Sequence, residues 1–110
     1  IDQTLALLGG IASLRINLRG YIVDASTSFE TMTGLPAGGY RSVRLPTLFD
    51  LPTRVAVGEA LERTIETLEP CSARARLISN SGAAIRVCIV FSGEMLRASE
   101  DIVVATIAAQ

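Results

Sequence analysis

Cys71 and Cys88 are the only cysteines in the chain, and a redox pair is the first chemistry they suggest. A disulfide needs its two Cα atoms within about 7 Å of each other. The turn signal Asn80-Ser81-Gly82 folds its flanking segments into a hairpin and sets Cys88 opposite roughly residue 74. The remaining offset of three residues, at about 3.3 Å each, leaves the two thiols about 10 Å apart. Both therefore read as packing residues. Glu59, Glu62, Glu66 and Glu69 could supply acid–base groups, but their spacing is that of the wet face of an amphipathic helix. Asp24 and Asp50 are the only carboxylates placed to act as a buried general base. Both stand at element ends, where capping accounts for them. Arg15, Arg74, Arg76 and Arg86 fall on alternate strand positions. They suggest an anion site or salt bridges to a partner; the plainer reading is a solvated strand face.

The missing residue types exclude more than the present ones suggest. Histidine and tryptophan are absent, which removes the commonest general base and the commonest metal ligand. Two cysteines are too few for a disulfide framework or a four-thiolate zinc site. The net charge is −1 and the ten basic residues, all arginine, form no run, so neither nucleic acid nor an anionic membrane is implied as a partner. No apolar run approaches the roughly 20 residues that span a bilayer. A chain of 110 residues that is 49% hydrophobic makes one domain with its own core. It opens on Ile1 rather than Met, and the expectation is a piece of a longer protein.

The elements follow from periodicity. Asp2 can cap a short helix carrying Leu5, Leu7 and Leu8, which Gly9-Gly10 stops. Residues 1–12 are thus read as an N-terminal helix and linker, and 13–110 as the domain. Leu14, Ile16 and Leu18 alternate with polar residues as in a half-buried strand. Gly20 makes a turn into a second strand, Tyr21 to Asp24. Ser26, Thr27 or Ser28 caps a short helix with Phe29 and Met32 on one face, ended by Gly34. Residues 35–50 read as loops and single helical turns. Leu51-Pro52-Thr53 starts the one long helix, with Val57, Leu61, Ile65 and Leu68 as its buried stripe and Pro70 as its end. Three strands close the chain, 71–79, 84–92 and 102–109. The last is apolar at almost every position and belongs in the centre of a sheet.

Five strands with helices between the second and third make an α+β domain. The order and punctuation resemble those of a PAS domain over nearly the whole chain. Asn17-Leu18-Arg19-Gly20 resembles the family's acidic-x-acidic-Gly turn, with Asn in an acidic position. Ser26 stands where many members have Asn, and Phe29-Glu30-Thr31-Met32-Thr33-Gly34 resembles the following helix and its closing glycine. Leu48-Phe49-Asp50 is similar to the Leu-Phe-His-Pro region before the long helix, and Ser81-Gly82 to the Asp-Gly turn before the fourth strand. The resemblance implies a five-stranded antiparallel sheet of order 2-1-5-4-3, with helices on one face and a short N-terminal helix. It also implies a sensory and dimerisation module, carried by kinases, transcription regulators and cyclic-nucleotide enzymes.

Family cofactors can be weighed against this sequence. Haem held by a histidine is excluded because there is none, and the reactive cysteine of the light-sensing flavin type would lie between Leu35 and Pro70, where no cysteine occurs. The expectation is no haem or flavin. An unidentified small apolar ligand remains as the alternative, in a pocket lined by Phe29, Leu48, Val57, Leu61, Val87, Ile89 and Phe91. The face expected to meet a partner carries Leu5, Leu8, Cys88, Val90, Ile102 and Val104. The overall expectation is a cytoplasmic bacterial signalling module. It is not itself an enzyme, works as a homodimer, and relays a signal to an effector in the same full-length chain, such as a histidine kinase of a two-component system or a DNA-binding regulator. A small cone-shaped α+β isomerase stands as the enzymatic alternative.

Overall fold

The computed structural model describes residues 11–110. In chain order the elements are β1 (Ile11–Asn17), β2 (Ile22–Ala25), α1 (Thr27–Thr33), a 3-10 turn (Leu45–Leu48), α2 (Leu51–Thr67), β3 (Cys71–Ile78), β4 (Ala84–Ser92), the one-turn helix α3 (Glu94–Arg97) and β5 (Ile102–Ala109). The strands form one antiparallel sheet in the order β2-β1-β5-β4-β3. The expected order is therefore observed, with the apolar last strand in the middle. The helix expected around Leu5 and Leu8 lies outside the described residues.

Strict alternation builds the inner face. Ala12, Leu14 and Ile16 of β1 are buried, as are Val87, Ile89 and Phe91 of β4 and Val103, Ala105 and Ile107 of β5. Phe29 and Met32 from α1, Leu45 and Phe49 from the connecting loop, and Val57 and Leu61 from α2 close over them. Each fully buried Leu, Ile or Phe contributes about 1.5–3 kcal/mol of transfer free energy. The long helix differs from expectation in which side it buries. Its buried residues are Val57, Ala60, Leu61 and Thr64, while Ile65 and Leu68 are only half-buried. The helix stops at Thr67, and Leu68 turns left-handed at φ 63°, so Leu68 leaves the stripe.

The first hairpin also ends earlier than its pattern suggests. Leu18 is 44% exposed and lies in the turn, because the Asn17 carboxamide oxygen accepts from the backbone N–H groups of Arg19 (2.9 Å) and Tyr21 (3.0 Å) and closes the turn there. Gly20 completes it at φ 87°, a conformation that costs a side chain-bearing residue energy. Both edges of the sheet are met in part by the chain itself, which shortens the free edge open to pairing with other molecules. Beside β2, Ile22 N–H donates to Val43 O and Leu45 N–H to Gly20 O. Beside β3, Phe49 bridges to Leu77 and Asp50 N–H donates to Arg76 O at 3.0 Å.

Asp50 joins these pieces. Its carboxylate caps α2 by accepting from Thr53 N–H (3.1 Å) and the Thr53 hydroxyl, and it pairs with Arg76 Nε on β3 at 2.6 Å. The same hydroxyl oxygen of Thr53 accepts from Arg76 N–H at 3.1 Å. The Thr53 hydroxyl, followed by Thr53 N–H and Arg76, holds the Asp50 carboxyl below its ordinary 3.8, against a partial desolvation that raises it. A folded-state value below the unfolded one means the clasp stabilises fully above pH 3.8 and is lost as pH falls through the lower folded value. Asp50→Asn should therefore lower the urea midpoint at pH 7 and give a shallower loss of stability on acidification than the unmutated chain. Parallel acid profiles for the two would show that Asp50 is not part of the acid response.

Candidate functional site

The sheet divides the chemistry-bearing residues between two faces. On the inner side, α1 contributes Phe29, the 3-10 turn Leu48, α2 Val57 and Leu61, and β4 Val87, Ile89 and Phe91. Six of these seven are buried in one continuous core, and Leu48 is half-buried against it. Tyr40 joins them, its ring edge-on to Phe29 with centroids 6.3 Å apart. Leu61 also floors a slot of about 100 Å³ between the β1–β2 turn and α2, walled by Gly20, Arg44, Gly58 and Ile65. Among the described residues, no three His, Cys, Asp or Glu side chains gather as a metal site would require.

On the outer side, the register lays the side chains out in rows. Ile11, Ala108, Cys88 and Arg74 share one row. Ser13, Thr106, Val90 and Ser72 form the next, and Asp24, Arg15, Val104 and Ser92 the one after. Ile102 stands beyond Val104, opposite Asn17. Cys88, Val90, Ile102 and Val104 thus lie together on this face, while Leu5 and Leu8 lie outside the described residues. Val90 is 41% exposed and Ile11 57%, and Cys88, Val104 and Ile102 are partly exposed, so apolar side chains are interspersed on this face with Ser13, Thr106 and Ser72.

One end of that face is basic. Arg76 and Arg86 are directly opposed at one end, with Arg74 one row inward. Arg76 is held by Asp50; among the described residues, Arg74 and Arg86 have no ion pair. The β4–β5 connection, outside the sheet, exposes Glu94, Glu100 and Asp101. Arg97 there is matched by Glu69 at 3.4 Å. Arg15 does not join the other three arginines. It lies two strands from β4, opposite Asp24.

Cys71 pairs with the buried Phe91 on the inner side, whereas Cys88 pairs with Arg74 on the outer side. The two thiols face opposite ways, and both are free. Glu59, Glu62 and Glu66 are exposed on α2 with Arg63 among them, as a wet helix face requires.

No protein-family model matches the chain, and no curated protein matches its sequence. Solved structures do match its shape. The wild-type Drosophila melanogaster Cycle PAS-B with bound ethylene glycol superposes with a TM-score of 0.79 at 13% identity, covering 90% of this chain and 99% of that one. The N-terminal domain of a diguanylate cyclase with PAS/PAC sensor from Marinobacter aquaeolei gives 0.72 at 16% identity, covering 90% and 94%. This chain folds as a PAS domain. A blue-light activated histidine kinase from Erythrobacter litoralis contains the same fold, with a TM-score of 0.77 at 13% identity over 100% of this chain and 36% of that one.

Two departures from the PAS pattern have a local account. Asn17 offers the turn a carboxamide oxygen where the family commonly offers a carboxylate, and that oxygen takes two backbone N–H groups. Ser26 uses its hydroxyl to accept from Ser13 N–H at 3.1 Å, tying the start of α1 to β1 and leaving α1 without a side-chain cap. The spacing of Ser26 from Ser13 gave no such signal, since the two are joined only by the sheet register.

Thr64 is the polar residue on the inner side of α2 that periodicity missed. It is fully buried, and its Oγ1 has no hydrogen-bond partner among the described residues. A buried hydroxyl in that state keeps its desolvation cost, about 1–3 kcal/mol, with nothing to offset it. Thr64→Val keeps the branched shape and removes the hydroxyl, and should stabilise the domain by about 1 kcal/mol in urea denaturation. A destabilised variant would mean that the hydroxyl has a partner in solution.

Proposed function

We propose that this domain is a sensory and dimerisation module of a multidomain signalling protein, passing a signal to an effector beyond these 110 residues. The observation that carries the reading is the outer sheet face. Ile11 and Val90 stand exposed on it and Val104 and Ile102 are partly exposed beside them, and apolar side chains left open on one face mark a contact surface. Cys88 continues them toward Arg74. A second copy of the domain covers the face. A shift of that cover over the sheet is the mechanical signal. The PAS folds of a diguanylate cyclase and a histidine kinase lend the module its signalling context. The effector is a kinase or a DNA-binding regulator; no direct contact with nucleic acid or membrane is assigned to this domain, and its compartment is taken as the cytoplasm. No haem or flavin is assigned to it.

Val90→Asp should weaken self-association by at least about tenfold in sedimentation equilibrium while the circular dichroism spectrum stays unchanged, since it places a charge at the centre of the contact. A monomer for the unmutated chain at every concentration would sink the dimer reading.

A second reading is a small-molecule sensor. It rests on the apolar inner side chains, from Phe29 to Phe91, and on the polyol held by the Cycle PAS-B structure. Native mass spectrometry of freshly purified chain should then show a retained small molecule. A bare chain mass throughout would count against it.

A further inference from the structure

The edge of the sheet along β3 is covered only in part, and the uncovered part has a defined shape. In an antiparallel ladder, residues alternate between those that bond to the neighbouring strand and those whose N–H and C=O point away from it. Arg76 points away from β4: its N–H donates to the Thr53 hydroxyl, and its C=O accepts from Asp50 N–H. Arg74 and Ser72 follow at the same alternation, so their backbone groups point to the same edge. On that edge, neither residue's N–H nor its C=O has a partner among the described residues. Both residues are exposed. The opening is bounded at each end. The Asp50 clasp closes it at Arg76, and Pro70, which has no N–H to offer, closes it before Cys71.

Open N–H and C=O groups on a strand edge are a template for one more strand. The side chains around them specify what that strand carries. Arg74 stands on the outer side of the sheet opposite Cys88, with Arg86 two residues before that cysteine on β4. Neither Arg74 nor Arg86 has an ion pair among the described residues, whereas Arg76 is held by Asp50. A residue directly opposite Arg74 or Ser72 on an added strand would put its side chain on this basic outer side. A residue opposite Ala73, half-buried against the core on the inner side, would meet an apolar neighbour. We propose that the β3 edge between Ser72 and Arg74 takes an extended segment of a partner protein in which acidic and small apolar residues alternate. Backbone bonds to Ser72 and Arg74 attach the segment, and the acid opposite Arg74 selects it. This edge is separate from the outer face that carries the dimer reading, and neither depends on the other.

The probe is a short capped peptide of alternating glutamate and valine, with lysine in place of glutamate in the control peptide. Fluorescence anisotropy with the 110-residue chain should show saturable binding of the acidic peptide and none of the basic one. Arg74→Glu should weaken the acidic peptide by about tenfold or more and let the basic one bind. Ser72→Pro removes one N–H from the open edge and none from the ladder to β4. It should keep the fold, as a thermal melt checks, and lower binding by about tenfold or more. Amide hydrogen exchange gives a readout that needs no variant: the acidic peptide should slow exchange at the Ser72 and Arg74 N–H groups of the unmutated chain. Equal binding of the two peptides overturns the acidic occupant. No saturable binding up to about 1 mM, or exchange at Ser72 and Arg74 that the acidic peptide leaves unchanged, overturns the edge as a docking site.

Discussion

Asp50 sits where the long helix, the loop before it and the edge of the sheet converge, and all three need a hydrogen bond at that point. One carboxylate supplies them. It caps α2 through Thr53, pairs with Arg76 on β3, and its own backbone N–H continues the sheet onto Arg76 O. Without this junction, α2 would have uncapped N–H groups and β3 an uncovered edge. The angle at which α2 crosses the inner face would also lose its anchor. The clasp fixes the start of the helix to the sheet about two turns before Val57 enters the core. The fold thus depends on a short polar clasp at its rim as much as on the apolar side chains behind it.

Most of the architecture was legible because it rests on period-two alternation. Ile85, Val87, Ile89 and Phe91 point one way in sequence and in structure, and Cys88 falls opposite Arg74 as the hairpin turn requires. The central position of β5 followed from its apolar residues on both alternations. What stayed hidden had a different physical origin. The long helix buries Ala60 and Thr64 more deeply than Ile65 and Leu68, and Leu68 already lies past the helix end, turned left-handed. The Asn17 turn and the Ser26–Ser13 tie are hydrogen bonds of single side chains, and alternation carries no trace of them.

The outer face was legible in part. Alternation put Cys88, Val90, Ile102 and Val104 on it but could not order them, since order on a sheet comes from register across strands. Register separates Arg15 from Arg74, Arg76 and Arg86, so the presumed arginine stripe is a cluster at one end and an Arg15–Asp24 neighbour pair near the opposite corner. It also turns the two cysteines onto different faces, a firmer bar to a disulfide than the separation along the strands.

The pairing of Ile11 with Ala108 has a mechanical meaning. The start of β1 and the end of β5 lie side by side in the middle of the sheet, and Gln110 N–H bonds to Arg86 O at that same end. A tension applied between residues 11 and 110 acts across the β1–β5 ladder rather than along it. Its hydrogen bonds are then loaded one at a time, as in a zipper, instead of all together in shear. The fold therefore has a soft direction. A modest pull on its two ends opens the central strands first and splits the sheet between β1 and β5.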